Sequence, residues 1–321
     1  MALPEDTPMA DEETLPEGFE GFPGLPAPPL KPQGGRSLLR PRRAAKRLPE
    51  WTFLIVWGLL AVSLLALWGW LYVVVLSGVQ EGRVQHQLLA KFREEVVEGT
   101  IPVGSHIPQG EPVATIRIPR LHVRDLVVVE GTASSDLESG PGHRRDSPLP
   151  GEAGTAFVLG RSATFGAPFG QIAHLKAGDA IDVTTGEGSF TFIVDTLRRP
   201  GAPLTAFDPG AARLTLATSE ATVGGVRQVL YVDATLKGSP LTSTDGPLHS
   251  LPAAEQQMSG DPGAWLTIVT WLEGLVVAVI AFAWLRVRWG LLPTVLVGAP
   301  VLVAALWGVA GASVQLLPNL F

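Results

Sequence analysis

The chain has 321 residues, a net charge of −6 and no cysteine. The charge is too mild to mark a nucleic-acid partner, and the missing thiols exclude disulfides and thiolate metal sites. The six histidines are scattered without metal-ligand spacing, so no metal or other cofactor is expected.

Residues 1–35 are rich in Pro, Gly and acids and read as disordered. Such a tail is either a Pro-rich ligand for a cytoplasmic partner or a plain solvated segment. Residues 31–47 carry seven basic residues and no acid, which closes a tail of residues 1–50 with a basic juxtamembrane cluster. Residues 51–77 form an uncharged apolar run long enough to cross a bilayer. The run is too long and too far from the start to be a cleaved signal peptide. Arg36, Arg40, Arg42, Arg43, Lys46 and Arg47 place its entrance in the cytoplasm. Trp51, Trp57, Trp68, Trp70 and Tyr72 suit the membrane interface or face lipid.

Residues 78–111 read as a connector. Its stretch 80–98 is helical, with Val84, Leu88, Leu89, Phe92, Val96 and Val97 at helical spacing. Short strand-like runs then follow at 113–119, 122–130, 154–160, 179–185, 189–197, 212–218 and 227–236, separated by Gly, Pro and Asp. This pattern predicts an all-β barrel or sandwich. Single helical turns fit 134–140 and 169–175. Residues 238–263 form a polar linker. Apolar spans follow at 264–285 and 289–317, with Arg286 and Arg288 between them. That arginine-bearing turn belongs on the cytoplasmic side, which makes a three-pass membrane protein with residues 78–263 outside. Gly274, Gly298, Gly308 and Gly311 permit close helix packing. Pro293 and Pro300 fall in the third span, where proline kinks a helix. Glu273 inside the second span is either a partner contact or proton site, or a carboxyl near the outer interface that reaches water.

Periodicity gives no function, but specific segments carry a resemblance. ATIRIPRLHVRDLVVVEGT (114–132), DLESGPGHRRDSPLPGEAGTAFVLG (136–160), TFGAPFGQIAHLKAGDAIDV (164–183) and ARLTLATS (212–219) occur in order. Over residues 112–237 the chain resembles the sortase domain, most closely class E sortases of actinobacteria. The resemblance implies an eight-stranded β-barrel outside the membrane that acts on peptides or cell-wall proteins. It also implies a Cys nucleophile, a His acid and an Arg that stabilises the oxyanion or positions the peptide. In this chain the Cys position is Ser219 and the His position is Arg161. The Arg position is Arg227, or else Val229 stands there and the Arg is lost. A serine hydroxyl needs an adjacent base, and a guanidinium cannot serve as one. Arg161 is then either an anchor for a carboxylate or a solvated charge. His143 could act as a substitute base for Ser219, with Glu220, Asp146 or Asp136 orienting its ring, or could simply cap a turn.

Three functions therefore compete. The first is a non-catalytic relative that binds a peptide or partner at the cell surface. The second is a transpeptidase or hydrolase that uses Ser219. The third is a structural subunit of a membrane assembly that contacts a partner through its second and third spans.

Overall fold

The structure is a computed structural model that describes residues 50–321, apart from 103, 105–106, 204–207, 209, 222–226, 243–249 and 258. The acidic tail and the basic cluster lie outside the described residues. Helix α1 (Glu50–Leu71) continues through five π-helical residues, Tyr72–Leu76, into α2 (Ser77–Glu98). The apolar span and the amphipathic stretch after it are thus one rod. Its first half presents Leu, Val and Trp on every side, whereas α2 keeps an apolar stripe that includes buried Phe92.

The central part is β-structure. The strands are β1 (Pro112–Ile118), β2 (Val123–Glu130), β3 (Gly142–His143), β4 (Gly154–Leu159), β5 (Ala180–Thr185), β6 (Gly188–Arg198), β7 (Ala212–Ala221) and β8 (Arg227–Leu236). A single helical turn, α3 (Ser134–Leu137), sits between β2 and β3. The eight strands close into a barrel in the order β1-β2-β3-β4-β7-β8-β6-β5. Most neighbours are antiparallel, but β2 with β3 and β4 with β7 run parallel. Seven strands coincide with runs legible in the sequence. The eighth, β3, has only two residues and carries no periodicity of its own.

Alternation along the strands fills the interior. Ile116, Val128, Val158, Ile181, Phe192, Leu214 and Val232 are buried in one core. Strand β7 departs from simple alternation, because Ala212–Ser219 is buried throughout. Its residues Leu214 and Leu216 face the core, and the alternate residues Ala217 and Ser219 face outward onto a covered groove. Ala217 packs there with Leu137, Leu159, Val229 and Leu320.

The last two helices, α4 (Ala264–Trp289) and α5 (Leu291–Val314), form a hairpin that turns at Gly290. Arg286 and Arg288 occupy the last turn of α4, and Pro300 sits within α5. A Cβ at Gly298 would lie 2.4 Å from the Phe282 ring, and one at Gly308 would lie 2.2 Å from Trp271. These glycines let the two helices approach until aromatic rings fill the seam. Gly274 meets nothing within 4 Å, and Glu273 beside it is exposed. The hairpin packs on the rod: the Tyr72 and Trp307 rings meet edge to face at 5.2 Å, and Trp68 Nε1 donates to the Leu306 carbonyl at 3.2 Å. The rod, α4 and α5 are each long and apolar enough to cross a membrane.

Candidate functional site

The groove is built where β4, β7 and β8 end. Strands β4 and β7 run parallel with Leu159 opposite Ala217. Carrying that register two residues further sets Arg161 at the level of Ser219. Strands β7 and β8 run antiparallel with Ser219 opposite Val229 and Ala221 opposite Arg227. Arg227 is therefore the diagonal neighbour of Ser219, within reach of a long side chain. Its Nη1 donates to Ser219 Oγ at 2.9 Å and to Ser162 Oγ at 2.7 Å.

Ser219 is 4% exposed, and its hydroxyl is fully engaged. Its Oγ donates to the Leu320 carbonyl at 2.7 Å. Its oxygen accepts from the Arg227 guanidinium and lies 2.8 Å from Ser162 Oγ. No proton acceptor of useful basicity is among these partners. The Leu320 carbonyl holds the hydroxyl as a neutral donor; the Arg227 guanidinium would favour an alkoxide, but none of the partners can take the proton.

Arg161 does not point at Ser219's ligands. It is completely buried and binds the element beneath the groove. Its Nη2 donates to the Ser134 carbonyl at 3.0 Å and to Ser134 Oγ at 2.7 Å, and its Nη1 donates to Thr164 Oγ1 at 3.2 Å. The guanidinium also lies 4.9 Å from the centre of the Phe165 ring. Burial pulls its pKa down to about 10, with the Glu138 charge opposing that shift, so it remains a cation at neutral pH. Arg161 thus ties α3 to the loop after β4 and is neither a solvated charge nor a free anchor. No side chain fits at the preceding Gly160, where a Cβ would lie 2.4 Å from the Phe169 ring.

His143 lies in a separate buried cluster. Its Nδ1 is 2.8 Å from Glu130 Oε2 and its Nε2 is 2.9 Å from the Pro148 carbonyl. Both partners only accept, so both ring nitrogens carry protons. Burial favours the neutral ring, but the adjacent Glu130 carboxylate outweighs it and holds the pKa above the usual histidine range. An imidazolium with both nitrogens committed is not a base for Ser219. The candidate orienting acids are also engaged elsewhere. Glu220 pairs with Arg199 at 2.7 Å, Asp146 pairs with Arg144, and Asp136 accepts from the Ala133 amide at 3.0 Å and from Gln109 at 2.7 Å.

The structure brings Ser219 and Arg227 together, sets Arg161 behind them, and leaves His143 apart. Sequence reasoning missed Ser162, Glu130 and Leu320. Ser162 follows directly on the Gly160-Arg161 pair, and the Pro318-Asn319 turn signal ahead of Leu320 could have flagged a folded end beyond the third span. Beside Ser219 and Arg227 a cavity of about 280 Å³ remains, and Phe169 and Leu230 supply apolar parts of its wall.

The model of the sortase domain matches residues 116–237. Sortase D of Bacillus subtilis (strain 168) is 34% identical over 83 residues, which cover 26% of this chain and 40% of that protein. The match thus spans two-fifths of the relative's length. Among solved structures, sortase E from Streptomyces avermitilis is 28% identical, covers 47% of this chain and 100% of its own, and superposes with a TM-score of 0.34. A sortase D5 transpeptidase of Clostridium perfringens is 24% identical, covers 49% and 99%, and gives 0.40. The eight strands that close into the barrel lie in the region that is similar to the sortase domain.

Proposed function

We propose that the chain is a membrane-anchored, non-catalytic sortase relative whose barrel holds a peptide or partner segment at the cell surface without cleaving it. One observation carries this reading: the hydroxyl at the nucleophile position is bonded to a guanidinium, a second hydroxyl and a carbonyl, none of which can take its proton. The residue at the acid position supports it, because Arg161 is spent on Ser134 and Thr164. What the site retains is binding chemistry: an apolar floor, two hydroxyls and one cation around a peptide carbonyl.

The test is direct. The purified full chain in detergent should neither cleave nor transfer a sorting-signal peptide, and Ser219 should not react with a fluorophosphonate probe. Turnover that disappears in Ser219→Ala would overturn the reading. The orientation follows from the basic cluster before α1 and the arginines ending α4, both placed in the cytoplasm. The cysteine-free chain makes this testable with single thiols. Leu241→Cys should be labelled from outside intact cells and Val287→Cys should not; the reverse pattern would invert the topology.

A role as a subunit of a membrane assembly is favoured by one feature, a cavity of about 410 Å³ between the rod, α4 and α5, lined by Leu65, Trp68, Leu272 and Leu306. Co-purification of a second membrane protein in mild detergent, lost in Leu272→Trp, would support that role. Recovery of the lone chain would not.

A further inference from the structure

The barrel's groove is not empty. Beyond α5 the chain folds back onto the barrel and places residues 316–321 over Ser219. Pro318–Phe321 form a tight turn closed by the Phe321 amide donating to the Pro318 carbonyl at 2.8 Å. The Leu320 carbonyl accepts from Ser219 Oγ at 2.7 Å, from Ser162 Oγ at 3.1 Å and from the Ser162 amide at 3.2 Å. The Phe321 carbonyl accepts from the Ala163 and Thr164 amides at 3.1 and 3.2 Å, and from Thr164 Oγ1 at 3.1 Å. The Leu320 side chain is fully buried among Leu137, Leu159, Ala217 and Val229. The Phe321 ring lies 4.3 Å beneath the Arg227 guanidinium.

These contacts have the composition of a peptide ligand in a receptor. There is one apolar anchor in a pocket, two carbonyls held by convergent donors, and a ring under a cation. The donors belong to the barrel and the acceptors to the segment. Without the segment, the outward side of β7 would expose its apolar floor and leave Ser219 and Ser162 without the carbonyl they share.

The segment is held in place from its other side. The Asn319 amide donates to the Ser259 carbonyl at 2.9 Å, and its side chain donates to the Ala254 and Gln256 carbonyls at 2.7 and 2.9 Å. A Cβ at Gly260 would lie 2.5 Å from the Leu316 carbonyl, so the two backbones touch at that glycine. The linker itself grips the barrel. Thr132 Oγ1 donates to the Glu255 carbonyl at 2.8 Å, and Tyr231 donates to Gln257 at 2.7 Å. At the root of the segment, Val314 packs with Tyr72 and Phe165, and the Phe165 amide donates to Ser77 Oγ at 3.1 Å.

We propose that the groove around Ser219 is a receptor site for a Leu-bearing peptide turn, and that residues 318–321 of the same chain are its resident ligand. This rests on the binding role proposed above and adds its regulation. Any peptide from a partner must displace the Leu320 anchor and take over the carbonyl site of Ser219 and Ser162. Tethering at the end of α5 keeps the segment at high effective concentration, so displacement requires either strong competition or a shift of α5.

Amide hydrogen exchange on the full chain in detergent tests this. The Ser162, Ala163 and Thr164 amides, which donate only to the segment, should exchange about tenfold faster or more in Leu320→Asp. In the cysteine-free background, Ser219→Cys should be poorly labelled by a bulky maleimide, and Leu320→Asp should speed that labelling by about tenfold. Amides of β5 and β6 should stay unchanged, which separates opening of the groove from unfolding. If Leu320→Asp unfolds the barrel, the milder Leu320→Ala decides, with the same direction expected. Rates within about twofold of the parent in a folded variant would overturn the proposal. A fluorophosphonate reaction at Ser219 would instead overturn the non-catalytic reading and leave these rates as they are.

Discussion

Two buried polar clusters on the same barrel are built on opposite principles. The His143 cluster completes itself within 20 residues of chain, because Glu130, His143 and Pro148 supply a carboxylate, a doubly protonated ring and a carbonyl. The Ser219 cluster does not. Its barrel residues, Ser162, Ser219 and Arg227, offer donors in excess, and the acceptor that completes them, the Leu320 carbonyl, lies 101 residues beyond Ser219. His143 and Ser219 are themselves buried, so each needs a protein partner, whereas Ser162 and Arg227 are half-buried beside the cavity. The difference is who supplies the last partner. A self-completed cluster is architecture, whereas one completed by a removable segment is a binding site.

This contrast can be broken experimentally, and the largest effect is expected in the His143 cluster. His143→Ala leaves Glu130 buried without its cation and should destabilise the barrel by about 3–5 kcal/mol, read from amide exchange of β2 and β4. A loss below about 1 kcal/mol would mean that Glu130 finds another partner or simply takes a proton. The same cluster predicts a pH dependence. The raised pKa of His143 means the folded state holds its proton more tightly than the unfolded chain does. Its stabilisation is therefore fully present below the ordinary histidine range and is lost as pH rises through the raised value. Opening free energies of β2 and β4 should fall as pH rises through that window, and His143→Ala should flatten the fall.

Arg161→Ala comes next. It removes a buried cation whose charge is opposed by Glu138, but it strands the Ser134 and Thr164 oxygens and leaves a void. The expected loss is about 2–3 kcal/mol, centred on α3 and the loop after β4. Arg161→His would not substitute for the lost contacts, because the shorter side chain cannot reach Ser134. No change in exchange at α3 in Arg161→Ala would remove the structural role assigned to it.

Ser219→Ala should have the smallest effect, about 1 kcal/mol, since Ser162 and its amide still hold the Leu320 carbonyl. Its signature is local, a modest acceleration of exchange at Ser162 with the rest of the barrel unchanged. A global loss of several kcal/mol would place Ser219 with the architectural cluster.

The legible parts of the molecule are those where short-range pattern and burial agree. The run at 179–185 alternates inward Ile181 and Val183 with half-buried neighbours, and it became β5. The uncharged run from 51 and the two runs after the linker became helices of membrane-spanning length, because an all-round apolar surface needs no partner face to be recognised. The turn at 134–140 was visible and became α3. β3 was not visible, because two residues cannot show a period and pair only when barrel closure brings β2 and β4 to either side. The helical stretch at 80–98 was readable and became most of α2. The five π-helical residues at the junction, where Tyr72 meets Trp307, were not, since they answer to packing against α5.

Within the groove, sequence alone determined that Ser219 brings a hydroxyl and Arg161 a guanidinium, and that no thiol is there. That follows from identity, because a hydroxyl and a guanidinium keep their chemistry in any fold. It could not decide what those residues touch. Arg161 offered a solvated or a ligand-binding future equally, and only packing against Ser134 and Phe165 made it internal. His143 could reach for Ser219 until Glu130 claimed its ring. Leu320 lies beyond the span read at 289–317 and carried no reading of its own, and only the tertiary fold brought it back across the barrel. Contacts between residues a hundred positions apart leave no trace in local pattern. They exist because closing the barrel exposes an apolar floor and unpaired donors that some segment must cover.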